Sequence, residues 1–156
     1  MYKEGEGVIE MGKIAYDTDE SYGWLIATAS QQLNQRLTRI FAENGLNLTT
    51  EQWSLLVYLM NEDGLSQQEL AERYKRSKVT VFKLIGQLEK RGFVHRLPDE
   101  KDGRVKRVFL TDMAKKSQKL MLRLAGENLA VATLGLTEEQ LGVLKASLKK
   151  MIKNTL

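Results

Sequence analysis

Apolar positions recur with helical spacing along most of the chain. Between Tyr22 and Phe41 they fall at Ile26, Ala29, Leu33, Leu37, Ile40 and Phe41, a stripe down one side of a helix that Gly45 ends. Leu48-Thr49-Thr50-Glu51-Gln52 has the form of a capping box, with Thr49 as N-cap and Gln52 reaching back from three residues on. The helix it opens carries Trp53, Leu56, Val57 and Met60 and stops near Asp63-Gly64. Ser66-Gln67-Gln68-Glu69 is a second box, opening a short helix through Leu70, Ala71 and Tyr74, and Ser77 caps another that runs to about Arg91 and stops at Gly92. The pattern then changes. Phe93–Leu97 and Val105–Leu110 are rich in β-branched and aromatic residues and are joined by the turn-forming run Pro98–Arg104, which predicts a hairpin. Thr111 starts a long helix bearing Leu120, Leu124 and Leu129. Gly135 interrupts it, and Thr137-Glu138-Glu139-Gln140 caps a last helix with Leu141, Leu144, Leu148 and Ile152. Residues 1–20, with Gly5, Gly7 and Gly12 and little periodicity, read as a loosely structured arm. The predicted fold is mainly α with one small β-hairpin.

The helix from Ser77 to Arg91 is the informative one. At about 100° per residue, Val81, Leu84, Ile85 and Leu88 share one face and must meet the core. Val79, Lys83, Gly86 and Lys90 then lie opposite, with Lys78, Thr80, Phe82 and Gln87 on the flanks. A short capped helix, a tight turn at Lys75-Arg76 and a second helix with a basic outer face match a helix-turn-helix, whose second helix fits a B-DNA major groove. The hairpin that follows carries Lys101, Arg104, Lys106 and Arg107, a dense run of cations for one turn, within reach of a minor groove.

Charge agrees with this placement. The chain has a net charge of +4, but Arg73–Arg107 holds twelve Lys/Arg against four Asp/Glu, leaving twelve against sixteen elsewhere. A basic middle between mildly acidic ends suits a polyanion-binding module set in a scaffold. A solvated helical hairpin with a lysine face accounts for the same charges. Two further readings stay open on the residues alone: a helical module that contacts other proteins, and an architectural DNA binder without sequence preference.

Other chemistry is narrowed by what is missing from the composition. Without cysteine there is no disulfide, thiolate metal site or thiol redox sensor, and His95, the one histidine, has no metal-ligand partner at helical spacing. No cofactor or metal is expected. No nucleophile stands beside an oriented base, so an enzyme is not expected, and Asp99, Glu100 and Asp102 read as structural residues of an exposed turn. The first residues lack the apolar run of a signal peptide and no stretch approaches the ~18 apolar residues of a membrane span. A cytoplasmic protein without membrane partners is the expectation.

Five segments, taken in order, resemble the MarR-type regulators: Leu48–Gln52, Glu69-Leu70-Ala71, Leu88-Glu89-Lys90-Arg91-Gly92-Phe93-Val94-His95-Arg96, Asp102-Gly103-Arg104 and Leu110-Thr111. The likeness covers roughly residues 22–156. It implies a winged helix-turn-helix at 48–111, with N- and C-terminal dimerisation helices at 21–47 and 112–156, and a homodimer on a near-palindromic double-stranded DNA operator. Ser77, Lys78, Val79, Thr80, Phe82 and Lys83 would form the recognition surface, and Lys101, Asp102, Arg104 and Lys106 the wing, with Asp102 and Arg104 paired and Arg104 in the minor groove. Ser66 and Gln67 would serve as cap and phosphate contacts. Ile26, Leu33, Leu37, Leu144, Leu148 and Ile152 would join the subunits. The resemblance also implies repression relieved by a small aromatic effector, for which Trp24, Trp53 and Tyr58, with Tyr22, are candidate lining residues, core packing being the competing role. This sequence departs from the pattern at several places. Lys83 stands where arginine is usual, Val81 and Phe82 where small hydroxyl residues are common, and Ala114 where glycine often follows Leu-Thr. Phe82 either meets a thymine methyl or folds back onto the wing, and packing is the favoured expectation. Gly86 has no evident role.

Overall fold

The computed structural model describes residues 20–155. The arm expected at 1–20 therefore lies, except for Glu20, outside the described residues. The order of elements is α1 (Tyr22–Glu43), α2 (Thr50–Asn61), β1 (Leu65–Ser66), α3 (Gln67–Tyr74), α4 (Lys78–Lys90), β2 (Val94–Pro98), β3 (Lys106–Leu110), α5 (Asp112–Ala132) and α6 (Glu138–Asn154). The backbone divides into two compact units, Met1–Gln32 and Leu33–Leu156. In the first, Tyr22, Trp24, Leu25 and Ile26 on the opening turns of α1 are exposed.

The second unit holds the core. Its buried side chains come from the end of α1 (Leu37, Phe41), α2 (Leu55, Leu56, Leu59), α3 (Leu70, Ala71), α4, the sheet (Leu65, Val94, Val108, Leu110) and α5 (Ala114, Met121, Leu124). The caps that delimit these helices are those the sequence predicts. Thr49 accepts from Gln52 N–H while the Gln52 side chain accepts from Thr49 N–H, and Ser66/Glu69 and Thr137/Gln140 repeat the box. Ser77 and Thr111 cap α4 and α5 through Thr80 N–H and Ala114 N–H. Leu37, expected at a subunit contact, is instead sealed in this chain's own core. It lies on the same stripe as Phe41, which faces inward.

The hairpin has a third strand that the hydrophobic pattern does not reveal. β1 pairs with β3 (Leu65 opposite Val108), and β3 pairs with β2 in register from Val94–Leu110 to Pro98–Lys106, so the antiparallel order is β1-β3-β2. Two residues are too few to leave a periodicity, and β1 exists because β3 offers its outer edge. Gly64 makes that approach possible. Its φ is +81°, and a Cβ there would lie 2.6 Å from a ring carbon of Phe109. Asp63 ties the same corner to the helix beyond, accepting from Leu110 N–H at 2.8 Å and pairing with Lys115 at 3.0 Å.

A buried polar contact joins α1 to α5. Asn128, 3% exposed, donates to the Leu33 carbonyl at 3.2 Å and accepts from Arg36 at 2.9 Å. By contrast, α6 has no buried residue along its 17-residue length. Its Val143, Leu144, Met151 and Ile152 are exposed and Leu148 is half-buried.

Candidate nucleic-acid interface

Short-range chemistry builds the α3–α4 pair. Ser66 and Glu69 close the start of α3, and the Ser66 N–H together with its hydroxyl holds the Glu69 carboxyl below the usual glutamate range. At the other end Lys75 takes the left-handed conformation, φ 52°, its N–H bonding back to the Ala71 and Glu72 carbonyls. That single turn lets Ser77 start α4 two residues later. The Ser77 hydroxyl accepts from Thr80 N–H at 3.1 Å and lies 2.8 Å from the Thr80 hydroxyl.

The orientation of α4 follows from its apolar stripe. Val81, Leu84, Ile85 and Leu88 are all buried, so the opposite face stands outward. Lys78, Val79, Thr80, Phe82 and Lys83 are exposed, as is Ser77 at the cap. Polar contacts hold the helix from behind. Gln52, 4% exposed, donates to the Gln87 side chain at 3.1 Å, and Arg91 donates to Gln52 at 3.1 Å and to the Leu46 carbonyl at 3.4 Å. The Gln52 that completes the α2 cap thus also sets α4. The sequence shows the first role and gives no sign of the second.

The wing is organised by two carboxylates. Asp99 accepts from the N–H groups of Lys101 and Asp102 at 2.9 and 3.0 Å and pairs with the Arg107 guanidinium. That partner, before the two N–H groups, lowers the Asp99 carboxyl to about 2. Arg107 also donates to the Gly64 carbonyl at 2.9 Å and lies 3.6 Å from Glu69, which ties the hairpin base to α3. At the tip, Asp102 accepts from Arg104 through both carboxylate oxygens at 2.9 Å and from the Arg104 N–H at 3.1 Å. The fork aims an otherwise exposed guanidinium. Lys101 and Lys106 are exposed beside it.

Between these parts runs a groove of about 730 Å³, lined among others by Gln67, Lys78, Val79, Phe82, Arg104 and Lys106. It brings together residues expected at the cap, the recognition helix and the wing. Phe82 takes neither expected place completely. It is 56% exposed, yet the Arg96 guanidinium of β2 sits over its ring, 5.2 Å from the centroid. Ser66 also lines the groove, but it is buried and engaged in its cap.

Two of the candidate effector residues, Trp53 and Tyr58, pack against different aromatic partners within the second unit. Trp53 stands edge-on to Phe41 at 5.5 Å. Tyr58 packs edge-on to Tyr74 at 6.2 Å and donates to the Arg73 carbonyl at 3.0 Å. Trp24 belongs to the first unit and is 41% exposed. His95 stacks on Phe109 at 5.8 Å, and no cluster among the described residues could hold a metal ion. No helix of the described residues is long and apolar enough to cross a membrane.

A recognition-type helix propped on a short capped one, with an antiparallel wing alongside, defines a winged helix-turn-helix protein. Comparison with known proteins agrees. The MarR family model matches residues 48–106. The chain is 35% identical over 109 residues to the uncharacterized HTH-type transcriptional regulator YybA of Bacillus subtilis, covering 70% of this chain and 73% of that one. A MarR transcriptional regulator from Methanosarcina mazei superposes with a TM-score of 0.76 at 29% identity, over 85% of this chain and 94% of that one. The S. aureus MepR–DNA complex superposes with a TM-score of 0.78 at 27% identity, over 87% and 98%. The chain belongs to the MarR family. It is a DNA-binding transcriptional regulator and not an enzyme.

Proposed function

We propose that the protein acts in the cytoplasm as a homodimeric repressor that reads a near-palindromic site on double-stranded DNA. The observation that carries this reading is the outer face of α4, which is exposed and cationic and lies beside an exposed Arg104 held in place by Asp102. Lys78, Thr80 and Lys83 supply donors to a major groove, and Arg104 suits the negative potential of a narrowed minor groove. Residues 48–111 form the DNA-binding part in this reading.

The dimer is supported by α6. A helix with exposed Leu144 and Ile152 and no buried residue has an apolar face that the described residues leave open, and a second copy supplies a partner for it. Two recognition helices related by a twofold then sit about one turn, roughly 34–36 Å, apart. A dimer seated there blocks the duplex to other proteins, which is why repression is assigned. The MepR complex, a DNA-bound structural relative, supports the same mode of engagement.

The test is recovery of bound fragments from genomic DNA, followed by affinity measured against salt. Neutralising about six to ten phosphates per dimer should cost roughly 10³–10⁵ in affinity between 50 and 200 mM salt. Arg104→Ala should weaken binding about tenfold with an unchanged melting curve, the range for one arginine contact. A protein that shifts no fragment at low salt is not a regulator of this kind. Normal binding by Arg104→Ala would remove the wing from the mechanism.

A further inference from the structure

Phe82 is unusual in its setting. It is 56% exposed on α4, and Val79, one turn earlier on the same face, is 80% exposed. Two large apolar side chains therefore stand in solvent between Lys78 and Lys83, where burial does nothing for folding. The ring is nevertheless placed. Arg96 lies over it at 5.2 Å, and Arg96 is itself locked. Its Nε donates to Glu89 at 3.1 Å, its backbone N–H donates to the same carboxylate at 3.2 Å, and its Nη1 reaches Gln67 at 3.4 Å. A cation over an aromatic face attracts it, so the ring is backed on one side and open to the groove on the other.

Such a ledge matches few features of a duplex. Phosphates are better served by the neighbouring lysines. Base edges that donate or accept hydrogen bonds lose water against a ring that offers nothing in return. The major groove holds one apolar feature, the methyl group at C5 of a pyrimidine. We propose that Phe82, with Val79, is a specificity-determining residue that receives a pyrimidine C5-methyl, from thymine or from 5-methylcytosine, and that Arg96 is the positioning residue behind it. The assignment rests on the DNA-binding reading above.

Selection with the full-length protein tests it. Three randomised duplex pools are used: one with ordinary bases, one with uracil for thymine, and one with uracil and 5-methylcytosine. From the first pool the wild-type protein should enrich a motif with a fixed thymine in each half-site. Remade with uracil, that motif should bind about fourfold more weakly per methyl lost, the value of one buried methyl-sized group. Phe82→Ala should bind both versions alike. Arg96→Gln should narrow the thymine-to-uracil ratio, a comparison in which the loss of one cation cancels because it affects both versions, and an unaltered ratio would overturn Arg96's part. Enrichment of 5-methylcytosine at the fixed position assigns recognition to the methyl alone. Its absence there assigns recognition to the methyl and O4 of thymine together, and both outcomes uphold the proposal. Equal wild-type affinity for thymine and uracil versions overturns it, as does a methyl effect that survives in Phe82→Ala, and either leaves the regulator reading intact. No motif from any pool overturns both.

Discussion

At the scale of single residues, the wing depends on charge pairs that local spacing hides. Asp99 and Arg107 face each other across the hairpin, and that pairing, with two backbone N–H groups, holds the carboxyl near 2. A depressed carboxyl stabilises the fold above its unfolded value, near 4, and that contribution is lost as pH falls through the folded value. The stability difference between wild type and Asp99→Asn should therefore be level from about pH 7 to 5 and shrink from about pH 4 toward 2. Urea unfolding at stepped pH measures it, and a difference that disappears above pH 5 would show that Asp99 is not held this way. The bidentate pair at the tip, Asp102 with Arg104, is different in kind, because its partners are two residues apart and the family resemblance of Asp102-Gly103-Arg104 already implies it. No pairing is implied in that way for Arg96, Glu89 or Arg107. They lie seven to forty-three positions from the groups they bind, and only the folded sheet brings them together.

At the scale of elements, what could be read in advance was whatever the chain determines within a turn or two. Thr49, Ser66, Ser77, Thr111 and Thr137 all cap the helices they precede, and the inward stripe of α4 is the one its period requires. Strand β1 was not legible, because a two-residue strand is defined by its partner β3. Nor was the fate of Leu37, since one apolar stripe looks the same whether its own core or another surface covers it. Gly86 is an element-scale question as well. It lies on the outer face of α4, and a Cβ added there meets nothing within 4 Å. Gly86→Ala should accordingly stabilise the protein by up to about 1 kcal/mol through helix propensity. Denaturant midpoints would show it, and a loss of stability would mean that α4 does not continue as a regular helix through this position.

At the scale of the whole molecule, the proposed dimer makes α6 the element to test. Leu144→Glu combined with Ile152→Glu changes two exposed positions, so folding of one chain should be nearly unaffected while self-association is lost. Sedimentation equilibrium at micromolar concentration should give a dimer for the wild type and half that mass for the double variant. A wild-type monomer would leave the apolar face of α6 to another use. If the dimer holds, a helix none of whose residues is buried among the described residues has a further consequence. Its order is then supplied by mass action, so the melting temperature should climb with protein concentration. A cell that made less of this regulator would be left with molecules that are scarcer and also easier to unfold and degrade, and its abundance would fall more steeply than its synthesis.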